Sequence, residues 1–257
     1  MEHMLETAIQ AAKEAGEILK RYFETSLERR LKDDSSIVTE ADERAEERII
    51  EVIKAQYPDH GFLGEETGEQ NADAEYIWII DPLDGTRNFV NGIPIFAVSI
   101  GLVRSDKPVA GVIYNPVTDT LFAGEEGRGA YWNGKQIHVS DREAKAATFT
   151  MGTSAKAEDK NLVAQCFLRA ESHVRGVRYL GSAVMDLGYM ARGGTEGCIH
   201  IGTKKWDYAA GALLVLEAGG TITDFDGNPW DMEKNYFIAS NGKIHSQLLD
   251  LVKSARV

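Results

Sequence analysis

Leu5, Ala8, Ile9, Ala12, Gly16, Leu19 and Phe23 recur at helical spacing and predict a long amphipathic first helix. A polar connection, LKDDSSIV, leads to a second helix over 39–57, with Ala41, Ala45, Ile49, Val52 and Ile53 as its apolar face and Tyr57-Pro58-Asp59 as its stop. FLGEETGEQNADAE then reads as a short apolar strand running into an acidic loop, whose 67–75 portion is expected to be mobile. The stretch YIWIIDPLDGTRNF, from Tyr76, is an almost unbroken apolar run that stops at Asp81, with a second acid at Asp84. Pro82 cannot donate a ladder hydrogen bond and is expected to help end that strand, with Gly85 and Thr86 opening a helix.

Beyond it the period shortens. Strands are expected at 96–103, 109–114, 120–123, 130–132 and 137–139, with turns at Ser105-Asp106-Lys107-Pro108, Thr118-Asp119 and Asn133-Gly134, a mostly antiparallel meander. From about residue 148 strands and helices alternate. ATFTMG precedes a helix near 160–171, and VRYLG precedes one near 182–191. EGCIHI leads into the helical WDYAAGALLVLEAG, followed by the strand-turn TITDFDGNP, a strand at 237–239 and a helix at 245–253. Helices flank sheets throughout, so the fold class is layered α/β, or α+β. No repeat or Pro/Ser-rich linker interrupts the chain. We expect one domain over 1–257, made of two packed halves, about 1–140 and 141–257.

Composition narrows the functional classes. Hydrophobic residues make up 43% and charged residues 26%, as in ordinary globular proteins. A formal net charge of −12 repels nucleic acid and anionic lipid, argues against either as partner, and favours divalent cations. Cys166 and Cys198 are the only cysteines; with no CxxC and no clustered His, a disulfide framework is excluded and a thiolate zinc site is disfavoured. No basic start with an apolar core marks a signal peptide, and no apolar run nears the roughly 20 residues a bilayer requires. A cytoplasmic location without a membrane partner is the expectation.

The candidate chemistry lies in the acids. Asp81 and Asp84 meet a helix N-terminus whose N–H groups can receive phosphate, and cations held beside it would make a phosphoryl-transfer site. The plainer reading is that one carboxylate caps a helix and the other a turn. Nucleophilic aspartates of phosphatases sit in D-x-D; here the acids are three apart, which points to a metal-activated water. Glu65 and Glu66 occupy a similar strand end, where the plainer reading is a solvated acidic loop, and Asp207 opens a helix closed by Gly219-Gly220, where it could simply cap. Asp42 closes a T-x-x-D pattern with Thr39 and could simply cap. DFDGN at 224–228 lacks the spacing and terminal Glu of a calcium loop and reads as a tight turn.

GEE at 64–66, WIIDPLDGTRNF at 78–89 and WDYAAGALLVLEAGG at 206–220 resemble the three signature segments of the inositol monophosphatase family, with TEAD at 39–42 and LGSA at 180–183 as weaker matches in the same order. The resemblance implies an αβαβα layered sandwich, a homodimer, and lithium-sensitive, Mg²⁺-dependent hydrolysis of small phosphomonoesters such as inositol-1-phosphate, without a phosphoenzyme. Carried over, Glu65, Asp81 and the Leu83 carbonyl hold one ion, Asp81, Asp84 and Asp207 a second, and Glu65 helps with a weaker third. Thr86, paired with Asp42, positions and helps deprotonate the water. Gly85 and Thr86 N–H groups contact phosphate. Asp84, Gly181, Ser182, Ala183 and Asp207 face the substrate, and the 67–75 loop orders with metal or substrate.

One position departs from that pattern. Where inositol-preferring members carry a glutamate seven residues before the WD aspartate, this chain has His200, which either hydrogen-bonds a substrate hydroxyl or is a structural histidine. Arg87 either favours a second anionic group or pairs with surface acids. Relatives of the family also handle fructose-1,6-bisphosphate, histidinol phosphate and nucleotide 3′-phosphates, and some act on transcription machinery as regulatory proteins.

Overall fold

The computed structural model describes residues 2–25, 28–32, 37–171 and 173–256. The chain opens with α1 (Glu2–Tyr22), the short strands β1 (Arg30–Leu31) and β2 (Ile37–Val38), and α2 (Glu40–Gln56). Next come β3 (Gly61–Gly64), β4 (Gly68–Gln70), β5 (Tyr76–Asp84) and the single turn α3 (Thr86–Val90). A meander follows: β6 (Ala97–Arg104), β7 (Lys107–Asn115), β8 (Thr120–Glu125), β9 (Gly129–Trp132) and β10 (Lys135–Ile137). The rest is β11 (Thr148–Thr153), α4 (Ala157–Ala170), β12 (Gly176–Arg178), α5 (Ala183–Ala191), β13 (Gly197–Ile201), α6 (Ala209–Glu217), β14 (Thr221–Thr223), β15 (Tyr236–Ser240) and α7 (His245–Ala255).

Five layers result. An eight-stranded sheet, β10-β9-β8-β7-β6-β5-β3-β4, and a five-stranded sheet, β12-β11-β13-β15-β14, pack either side of α5 and α6. Helices α1 and α2 cover the outer face of the large sheet, and α4 and α7 that of the small one. This is the αβαβα sandwich. The large sheet is covered on both faces, so its strands read as continuous apolar runs instead of alternating ones. On β6, Val98, Ile100 and Leu102 face α1 and α2, whereas Ala97, Gly101 and Val103 face the middle layer. The 140–148 segment is pinned by buried Glu196, which accepts hydrogen bonds from Ser140 Oγ at 2.8 Å, Arg142 Nε at 2.6 Å and the Thr148 N–H at 2.6 Å. Among the described residues no helix is long and apolar enough to cross a membrane.

Three local expectations need correction. First, β5 does not end at Asp81. It continues to Asp84 through a bulge, with Asp81 opposite Ser99 and Asp84 opposite Ala97, so two residues face one. Pro82 sits in that bulge, where it forfeits little pairing. Second, the 67–75 segment is partly ordered: β4 pairs antiparallel with β3 at the sheet edge. Third, the 31–38 connection carries the β1–β2 pair; its residues 33–36 lie outside the described residues.

Where α6 begins is set by two glycines. Gly101 and Gly111 stand opposite each other on β6 and β7. A Cβ on Gly111 would lie 2.7 Å from the Ala210 carbonyl oxygen, and one on Gly101 would lie 3.0 Å from Ala209 Cβ. The helix backbone therefore rests directly on the sheet, and Asp207 two residues earlier is carried to β5 with it. Replacing Gly111 by Ala forces backbone apart in a packed core. We expect a destabilisation of about 1–3 kcal/mol by denaturant unfolding, and weakened divalent-ion binding from displacement of Asp207.

Candidate metal centre and active-site cleft

The bulge in β5 builds the centre. In a regular strand residues three apart point to opposite faces. Because Asp81 and Asp84 pair with Ser99 and Ala97, which are two apart and share a face, both carboxylates emerge on the side of the middle layer. Ser99 donates from Oγ to the Trp206 carbonyl at 3.3 Å, tying the 205–207 turn to the same face. One carboxylate oxygen each from Asp81, Asp84 and Asp207 lies within 4.8 Å of the others.

Each acid is partly committed. Asp81 is 1% exposed and accepts the Leu83 N–H at 2.9 Å. Asp84 Oδ2 accepts the Ser182 hydroxyl and, at 3.1 Å, the Val184 N–H. Asp207 does not cap α6, which starts at Ala209; its Oδ2 accepts the Lys204 N–H at 2.6 Å and closes a 3₁₀ turn. One oxygen of each remains for a cation. Burial, with the charges of Glu65, Asp84 and Asp207, holds the Asp81 carboxyl well above the usual range. Burial and the Asp84 charge do the same to Asp207, and burial pushes Asp84 up to about 6 against the Ser182 and Val184 bonds. A buried and two half-buried carboxyls, all held above their ordinary pKa, make a site short of positive charge.

Glu65 approaches from β3. Its N–H donates to the Ile80 carbonyl at 3.1 Å, setting it beside Asp81, but its carboxylate stands outside the tight triad. Lys32 Nζ lies 2.8 Å from Glu65 Oε1 and 2.6 Å from Glu66 Oε1. Burial works to lower the Lys32 pKa, and the two glutamates outweigh it and raise it. Burial pushes Glu66 up to about 7, with Lys32 opposing.

Asp42 carries both readings of its sequence pattern. Its Oδ2 accepts the Thr39 N–H at 2.9 Å and the Thr39 hydroxyl at 2.6 Å, a full capping box, while Oδ1 stands 3.4 Å from Thr86 Oγ1. Burial raises the Asp42 carboxyl to about 6. The Thr86 hydroxyl also meets the Leu83 carbonyl at 3.0 Å, an oxygen that keeps a second lone pair. Gly85 precedes α3 in the left-handed region, φ +88°, without a side-chain cap, so the first N–H groups of the turn have no intrahelical acceptor.

A cleft of about 470 Å³ joins these parts, lined by Glu65, Asp84, Gly85, Thr86, Gly181, Ser182, Ala183, His200 and Asp207, with Arg87, Lys156 and Lys204 also along it. Ser182 is the N-cap of α5, accepting the Met185 N–H, and Gly181 turns at φ +78° against Asn88. His200 is 2% exposed; Nε2 stands 2.9 Å from Asp186 Oδ2 and the ring stacks on Phe237. It is a buried, partnered imidazole in the cleft wall.

A sequence profile of the inositol monophosphatase family matches residues 1–256. The chain belongs to that family. It is a phosphomonoester hydrolase by that membership. It is 40% identical to inositol-1-monophosphatase of Mesorhizobium japonicum, over 97% of this chain and 96% of that one. It is 39% identical to a fructose-1,6-bisphosphatase/inositol-1-monophosphatase of Aquifex aeolicus, over 97% and 95% of the two chains. The solved Thermotoga maritima IMPase superposes with a TM-score of 0.93 at 31% identity, covering 100% of this chain and 98% of that one.

Four residues in or behind this phosphatase's candidate site were not singled out from sequence. Lys32 bridges Glu65 and Glu66; Asn88 Nδ2 donates to the Ile95 and Leu180 carbonyls at 2.7 and 2.8 Å, clamping the 180–182 turn to α3. Asp186 backs His200, and Glu46 lies under the Glu65 loop. Asn88 stands inside the DGTRNF motif and could have been proposed from it. The other three are signalled by nothing local, because their partners are 14 to 34 residues away.

Proposed function

We propose that the protein is a Mg²⁺-dependent phosphomonoesterase of a small sugar or polyol phosphate such as inositol-1-phosphate, acting by in-line attack of water without a phosphoenzyme. The observation that carries this reading is the approach of three carboxylates, the buried Asp81 and the half-buried Asp84 and Asp207, within 4.8 Å. All side-chain donors are hard oxygens, with no His or Cys, which suits Mg²⁺. Asp81, Asp84 and Asp207 with Glu65 and the Leu83 carbonyl would hold two to three ions. When bound, Mg²⁺ supplies positive charge that neutralises phosphate oxygens and favours departure of the alkoxide.

The chain's own groups do the rest. Thr86 Oγ1 orients the water and takes one of its protons as the Thr86 hydroxyl proton passes to Asp42 Oδ1, whose raised pKa of about 6 suits a base near neutrality. Glu65 assists from the same end of the neighbouring parallel strand, β3. N–H groups of Gly85 and Thr86 receive phosphate oxygens at the start of α3. Gly181, Ser182 and Ala183 present the α5 N-terminus to the polyol, while His200 shapes the wall. We further take the chain to be one domain of two packed halves and the protein to be a lithium-inhibited cytoplasmic homodimer.

Arg87, Lys156 and Lys204 along the cleft favour a second reading, fructose-1,6-bisphosphate, in which they meet a second phosphate. Phosphate release with Mg²⁺, compared by kcat/KM across inositol phosphate, fructose bisphosphate, histidinol phosphate and a nucleotide 3′-phosphate, ranks the two. Inositol-1-phosphate is expected to lead; a bisphosphate turning over at least about tenfold better would replace it. No release from any of them would reject the proposal.

A further inference from the structure

Glu46 is 0% exposed, a rare place for a carboxylate. It lies on α2 one turn beyond Asp42, so the two acids share a helix face. Its Oε2 accepts the Glu66 N–H at 3.0 Å and its Oε1 the Thr67 N–H at 2.7 Å. Successive N–H groups of this kind form a concave anion site, filled here by the protein's own side chain. Gly64 makes room for it: a Cβ there would fall 2.3 Å from Glu46 Oε1 and 2.6 Å from its Cδ.

Residue 65 is therefore fixed on both sides. Upstream, Gly64 pairs with Ile80 and the Glu65 N–H donates to the Ile80 carbonyl at 3.1 Å. Downstream, the next two N–H groups are held by Glu46. The same helix face sends Asp42 to Thr86. Helix α2 thus sets the Glu65 backbone and the Thr86 hydroxyl from one rigid element. An apolar residue at position 46 would bury surface at lower electrostatic cost beside Glu65 and Glu66, but would leave two part-buried N–H groups without their acceptors.

We propose that Glu46 is a positioning residue that holds Glu65 in place to bind Mg²⁺. The inference rests on the metal-dependent reading above. Gln at 46 keeps the shape but offers one acceptor oxygen where two N–H groups need it. Gly64→Ala attacks the same contact from the other side, at a position whose φ tolerates Ala.

The experiment measures Mg²⁺ binding by calorimetry on the wild type, Glu46→Gln, Gly64→Ala, Glu65→Gln and the Glu46→Gln/Glu65→Gln double variant, each checked by thermal unfolding. Glu46→Gln and Gly64→Ala are expected to weaken Mg²⁺ binding by about 10–100-fold. In the Glu65→Gln background, Glu46→Gln should add nothing, because its effect passes through Glu65. Unchanged Mg²⁺ affinity with only a lowered Tm would overturn the proposal, as would the same loss with and without Glu65. If Glu46→Gln fails to fold, Gly64→Ala decides. A wild type that binds no Mg²⁺ rejects the underlying metal reading instead, which separates the two failures.

Discussion

Replacing Asp84 with Asn lowers phosphate release by at least about a thousandfold, the scale of losing a transition-state electrostatic contact. The same change stabilises the metal-free protein. Asp84 is one of three acids that crowd each other, and burial has raised it from 3.8 to about 6. Removing its charge relieves that repulsion and desolvation, while an Asn Oδ1 in the place of Oδ2 still accepts from Ser182 and Val184. The gain is about 1–3 kcal/mol near neutral pH, reduced because Asp84 lines the cleft. A higher Tm without metal, joined to lost turnover, is the signature of a cation site. A variant that keeps near-normal turnover, or that loses stability in chelator, would contradict the assignment.

The second large effect is a reversed pH dependence of stability without metal. Asp42 and Asp84 rise from 3.8 to about 6 and Glu66 from 4.5 to about 7, chiefly through burial, and Asp81 and Asp207 rise further. A carboxyl whose folded pKa exceeds its unfolded one leaves the folded state holding more protons. Stability therefore falls as pH rises from about 4 through about 7. His60 and His245, lowered from 6.5 by burial, act in the opposite sense below about pH 6.5, and are outnumbered. Calorimetry in chelator should show the fold about 2–5 kcal/mol more stable near pH 5 than near pH 8. Saturating Mg²⁺ should remove that difference, since it binds the ionised carboxylates, and should raise Tm more at the higher pH. A metal-free Tm that climbs toward pH 8 would show that the acids do not crowd one another as described.

Local pattern determined much of this protein. The apolar positions of α1 and α2 follow the helical period, and the meander from β6 to β10 follows its turn residues. The T-x-x-D capping box at 39–42 formed as its spacing requires, and DFDGN closed as a turn in which Asp224 Oδ1 accepts two N–H groups. These are interactions between residues within about four positions, where sequence spacing is geometry. The motifs also named the three acids that approach one another, Asp81, Asp84 and Asp207, and Glu65 in the cleft beside them.

What spacing alone could not supply was their convergence. It depends on a bulge that puts Asp81 and Asp84 on one face, and on the Gly101–Gly111 pair that lets α6 carry Asp207 to β5. The choice of Glu46 for the 66–67 amides, and of Asp186 as partner of His200 Nε2, also rests on neighbours remote in the chain. A strand's register and a helix's approach are decided by which surfaces pack, and packing is a property of the assembled layers that no single segment contains.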